Sequence, residues 1–206
     1  MEMTVKDGIG GGFSAGVSPS FRLLTAAVTQ TIETAYGAIG TAYSIASPVM
    51  TLTAATASAV FYVAPTDQNA VCYVSDLRLC YGKSAAGNPG SARAIIYKNS
   101  TGGTLTSSPS GSITPVNRNF GSADLALATC YYGTEAKTLT GGTTIATLLS
   151  PDNAILTNQI GGWWVPAGTN IGVEITPPAS NTSMTVTVTA LVAFLDPDDL
   201  VGYNVG

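Results

Sequence analysis

The stretch WWVPAGTNIGVEITPPASNTSMTVTVTALVAFL, from Trp163 to Leu195, decides the fold. Along Met184, Val186, Val188, Ala190, Val192 and Phe194 every second residue is apolar, while Thr185, Thr187 and Thr189 take the alternate positions. Period two with β-branched residues predicts a half-buried strand. Upstream, Ile171, Val173 and Ile175 alternate with Gly172, Glu174 and Thr176, and Pro177-Pro178 ends that strand because proline supplies no ladder donor. A Pro166-Ala-Gly168 turn leads into the pair. The chain builds sheet.

Working outward, short apolar runs recur between turn signals: Met50 to Thr53, Ala59 to Val63, Val71 to Tyr81, Ala92 to Lys98, Leu125 to Tyr131 and Thr143 to Leu149. That spacing predicts an all-β fold, a β-sandwich or jelly roll. Three regions are expected: a glycine-rich arm over 1–20, a β-sandwich domain over 21–195 and an acidic tail over 196–206. In the arm, Gly8, Gly10, Gly11, Gly12 and Gly16 crowd around Phe13, which with Phe21 supplies the aromatic anchors. Glycine leaves a free chain many conformations, so such an arm orders chiefly along a neighbour. It is not read as a phosphate loop, because no Lys-Ser/Thr follows the glycines. From Phe21 to Tyr43 two patterns compete. Leu24, Val28, Ile32 and Tyr36 have helical spacing, interleaved threonines have strand character, and the β-rich surroundings tip the reading to a pair of strands. Within Val71 to Tyr81 the odd positions are bulky and apolar, which assigns the core to that face and leaves Asp76 and Arg78 as a surface ion pair.

Composition limits the chemistry. Of 206 residues only 10% are charged, against about 25% in soluble globular proteins. The polarity comes from Thr, Ser, Asn and Gly, whose hydrogen-bonded burial costs less than that of an unpaired charge, so the surface suits broad subunit contacts. A net charge of −4 without a basic run argues against nucleic acid as a partner. No apolar run approaches the roughly 18 residues of a membrane helix, and no membrane partner is expected. There is no histidine, which removes the commonest general base and metal ligand. The carboxylates are scattered over separate segments, and Asp196-Pro-Asp-Asp199 lacks the alternating oxygens and turn glycine of a calcium loop. No catalytic, cofactor or metal site is expected. Cys72, Cys80 and Cys130 form no CxxC pair and read as reduced, buried small hydrophobes. Asn99-Ser-Thr101 and Asn181-Thr-Ser183 match the glycosylation sequon, a pattern that arises by chance in a Ser/Thr-rich chain.

Trp163 and Trp164 are adjacent on a strand, so their side chains take opposite faces and one of them leaves the core. The outward ring packs under a loop or at a sheet edge, or it anchors a contact between subunits, where tryptophan is enriched, or it serves as a platform for carbohydrate. Phe13, Phe21, Trp163 and Trp164 are therefore the candidate contacts with a neighbouring subunit.

The segment Ile113-Thr-Pro-Val-Asn-Arg-Asn-Phe-Gly-Ser122, the turn-rich stretch through Gly133, the Trp164-Val-Pro-Ala-Gly hairpin and the terminal alternating strand together resemble virion structural proteins of tailed bacteriophages. The resemblance covers about residues 70–195. It places an Asn-x-Asn-Arg-Asn type element at Asn117, Arg118 and Asn119, with Pro115 standing where an asparagine would precede Val116. It implies a head decoration or cement protein, a homotrimer on the outer surface of the capsid that bridges major capsid protein subunits. The alternatives are a head-fibre or tail adsorption protein presenting loops to a host glycan, and a carbohydrate-binding module outside phage.

Overall fold

The computed structural model describes residues 32–53, 55–83, 91–150, 156–178 and 183–195. The arm over 1–20 with Phe13, the residue Phe21, and the tail over 196–206 lie outside them. In chain order the elements are α1 (Ile32–Ile39), β1 (Ala42–Ala46), β2 (Met50–Leu52), β3 (Ser58–Pro65), β4 (Val71–Lys83), β5 (Arg93–Lys98), α2 (Thr104–Ser107), β6 (Gly111–Ser112), β7 (Val116–Asn117), β8 (Ala128–Tyr132), β9 (Thr143–Leu149), β10 (Leu156–Ile160), β11 (Trp163–Pro166), β12 (Ile171–Thr176) and β13 (Met184–Leu195).

The strands form two antiparallel sheets, giving the all-β sandwich expected from the periodicity. One runs β10-β4-β13-β1-β7, with β11 also on β4 and β2 also on β13. The other runs β6-β8-β3-β12-β5-β9. β13 is the spine of the first sheet, pairing with β4 from Met184↔Lys83 to Leu195↔Val71. Its even residues, Met184 to Phe194, are all buried, as the alternation requires. Ile171, Val173 and Ile175 of β12 belong to the same core from the second sheet, with Phe61 of β3 and Ile96 of β5, and Leu77 and Leu79 of β4 join it from the first. Burying each large aliphatic or aromatic side chain stabilises the sandwich by about 1.5–3 kcal/mol.

Three expectations are corrected. First, β4 does not keep one face inward. Leu191 pairs with Asp76 but Val192 pairs with Val74, so Ser75 is an extra residue, a β-bulge. The bulge inverts the alternation: Cys72 and Val74 are buried before it, Leu77, Leu79 and Tyr81 after it, and the odd residue Tyr73 turns outward. Ser75 Oγ donates to Leu191 O at 3.1 Å, which occupies a carbonyl at the disrupted ladder. Second, residues 32–39 are a helix rather than a strand, because the outer face of β13 needs cover. Ala193 and Leu195 point away from the main core and, with Ala42, form a second small cluster onto which Ile32, Tyr36 and Tyr73 pack. Ile32 and Tyr36, four apart, supply the single stripe that a short helix can bury. Gly40, at φ +86°, ends α1 with a Schellman arrangement in which Gly40 N–H donates to Gly37 O and Thr41 N–H to Tyr36 O. Third, the apolar run from Leu125 becomes strand only at Ala128; Leu125 and Leu127 are exposed.

Candidate functional site

The bulge also changes the Asp76–Arg78 pair. It is not a surface pair: Arg78 is half exposed, but Asp76, opposite Leu191 at the bulge, is buried. Arg78 Nε donates to Asp76 Oδ2 at 2.5 Å, and Oδ1 has no partner. Burial of one partner makes the bond more valuable than an exposed pair, because an unpaired buried carboxylate is strongly unfavourable. The thiols divide as well. Cys72 and Cys130 are buried and free, whereas Cys80 is only half buried. Burial pushes both buried thiols up to about 12, with Cys130 adding to the effect on Cys72. They are packing groups without nucleophilic character at neutral pH. Among the described residues no group of three or more His, Cys, Asp and Glu could hold a metal ion, and no helix is long and apolar enough to cross a membrane.

The tryptophans take opposite faces. β11 lies antiparallel to β4, with Trp163 opposite the inward Val74 and Trp164 opposite the outward Tyr73. Trp163 packs on the main core from its margin. Trp164 is 37% exposed and leans on Tyr73, ring centroids 4.8 Å apart at 45°. The outward Trp164 thus packs on Tyr73 at the sheet edge and stays partly exposed. Beside the pair a hollow of about 390 Å³ opens, walled by Trp163, Val165 and Pro166 of β11 and, from the other sheet, by Ile171 of β12, Lys98 of β5 and Ile145 of β9. Lys98 is the only charged residue lining it among the described residues.

The second surface was not among the contact residues expected from the sequence, although Asn117 and Asn119 carry the resemblance. It is the loop that follows β7. Asn117 Nδ2 donates to Gly40 O at 2.6 Å and to Asp124 O at 3.2 Å, and Asn117 Oδ1 accepts the Asn119 N–H at 2.8 Å. Asn119 Oδ1 accepts the Gly121 N–H, and its Nδ2 donates to Ala38 O, so the loop is tied to the end of α1. A turn closed by Ser122 N–H donating to Asn119 O carries Phe120 at its tip. Phe120 is 100% exposed, and Leu125 80%. Beside this loop lies another hollow, of about 320 Å³, lined by Tyr43, Asp67, Asn69, Asp124, Leu125, Leu127 and Phe194 among others. The buried Tyr43 hydroxyl is held above its ordinary pKa by desolvation and by the Asp124 charge, against a smaller lowering from Asn117. The signal for this loop in the sequence was Asn119-Phe-Gly121, an aromatic residue between two turn formers, which places it at a tip.

What this arrangement offers chemically is contact. A ring held in water on a loop fixed by side-chain hydrogen bonds loses little conformational freedom when a partner covers it. Comparison with known proteins returns no matching family model, no matching curated protein and no matching solved structure.

Proposed function

We propose that this chain is a structural protein of a tailed-bacteriophage virion, which decorates the outer surface of the capsid and stabilises it by bridging major capsid protein subunits. The observation that carries the reading is the wholly exposed Phe120 on a loop pinned by Asn117 and Asn119. These asparagines belong to the very element on which the sequence resemblance rests. Low charge, a second open ring at Trp164 and the absence of histidine accord with a protein that buries surface rather than turning over substrate. In this reading it is not an enzyme, it uses no cofactor, and it assembles as a homotrimer. Each copy that binds only the assembled shell stabilises that shell by mass action.

The test is binding to empty capsids that lack the protein. The intact chain should co-sediment with them and raise their resistance to heat, and Phe120→Ala should weaken attachment. Capsids that neither retain nor are stabilised by the chain would overturn the reading. A second reading, a glycan-binding adsorption protein or carbohydrate-binding module, is favoured by one feature, the Trp163 hollow with Lys98 at its wall. Binding on a glycan array that is abolished by Trp163→Ala would select it.

A further inference from the structure

The two hollows lie toward opposite edges of the seven-stranded sheet. β13 occupies one side of β4 along nearly its whole length, so β10 and β11 lie on the other side and form one edge. β1 and β7 form the opposite edge, and the Phe120 loop leaves from β7. Four strand spacings, about 19 Å, separate β11 from β7, and two, across Cys72 of β4, separate Val165 of one hollow from Phe194 of the other. The charges are opposite too. Among the described residues Lys98 is the only charged one lining the Trp163 hollow, whereas Asp67 and Asp124 are the charged ones lining the hollow beside Leu125. One surface is apolar with a cation, the other apolar with two carboxylates and a projecting ring.

We propose that copies of this chain associate head to tail, the Phe120 loop and acidic hollow of one copy seating on the Trp163–Lys98 hollow of the next. The occupant is a second copy because the two patches complement each other in charge and are fixed on different strands of one sheet, so that neither can seat on the other within one chain. Charge complementarity of this kind selects the partner and fixes its orientation. Joining unlike patches is a heterologous contact, which closes into a ring when the rotation permits. A ring of three is the trimer of the proposed function. The inference rests on the self-association in that reading and not on the capsid.

The test uses the purified full chain without capsids, in sedimentation equilibrium at low and high salt, with thermal melts to show that each variant folds. Association should weaken as salt rises, because the pairing charges are screened. Lys98→Glu and Asp67→Lys should each weaken it, Lys98→Glu by roughly tenfold or more. Adding Asp67→Lys to Lys98→Glu should then strengthen association relative to Lys98→Glu alone, although it is harmful by itself. Phe120→Ala should weaken it roughly tenfold as a lost central anchor. A chain that stays monomeric, or reversals whose effects simply add, would overturn the head-to-tail contact. A folded monomer that still binds capsids would do so, and would remove the homotrimer while leaving capsid decoration standing.

Discussion

Ser75 presses its carbonyl oxygen against Gly161: a Cβ added at Gly161 would come within 2.2 Å of Ser75 O and 2.9 Å of Asp76 N. The bulge in β4 and the break between β10 and β11 are thus one feature seen from two strands. The extra residue pushes the edge outward, and only a residue without a side chain lets the neighbouring strand pass. Beyond it, Gly162 N–H donates to Val74 O and restores pairing in time to place Trp163 and Trp164.

Gly161→Ala should therefore destabilise the domain by about 1–3 kcal/mol, since backbone must shift to make room. It should also disturb the Trp163–Trp164 pair. Denaturant unfolding followed by tryptophan fluorescence measures both, and a wild-type midpoint would show that the contact between Ser75 and Gly161 yields easily.

At the other edge, the stapled loop separates two roles. Asn117→Ala removes the amide that bonds Gly40 O and Asp124 O, and should lower stability by about 1–2 kcal/mol and loosen the loop, read as faster amide exchange over residues 117–124. Within one copy the Phe120 ring is wholly exposed, so at concentrations dilute enough to keep the chain monomeric the melting temperature of Phe120→Ala should match wild type within experimental spread. A large destabilisation by Phe120→Ala would show that the ring packs on the domain.

The buried thiols set an alkaline limit. Unfolded cysteines lose their protons near 9.0, while Cys72 and Cys130 in the fold hold theirs to about 12. Between these values the unfolded chain binds fewer protons than the folded one, so stability falls as pH rises, and below pH 9 these groups have no effect. The slope is on the order of 1 kcal/mol per pH unit for each thiol. Urea unfolding from pH 8 to 11 should show it, reduced in a Cys72→Ala, Cys130→Ala double variant. Alkylation of the folded protein at pH 8 should spare both residues, and their modification at the rate of a free thiol would contradict the burial.

Residues 1–20 carry Phe13 among glycines, and we expect them to serve attachment rather than folding. Ordering such a segment costs on the order of 1 kcal/mol per residue, which a neighbour's surface must offset. Deleting residues 1–20 should leave thermal unfolding nearly unchanged and weaken capsid binding, with Phe13→Ala giving part of the loss. Equal decoration by the truncated chain would remove the arm from the mechanism.

The sequence by itself determined the strands whose burial repeats every second residue. β12 and β13 were legible to within a residue because alternation is a local property, written in each strand before it finds a partner. It also determined that Trp163 and Trp164 must part company, since adjacent strand residues face opposite ways. The parity of β4 was not legible, because the bulge at Ser75 comes from how β4 meets β13 and nothing in Val71 to Tyr81 announces an extra residue. Residues 32–39 could follow either period, and the choice fell to an uncovered patch of Ala42, Ala193 and Leu195, two of them more than 150 positions away. The contact surfaces were decided last. Whether Phe120 enters the core or stands in water depends on where Asn117 and Asn119 find the carbonyls of Gly40 and Ala38, and only the folded chain brings those carbonyls within reach.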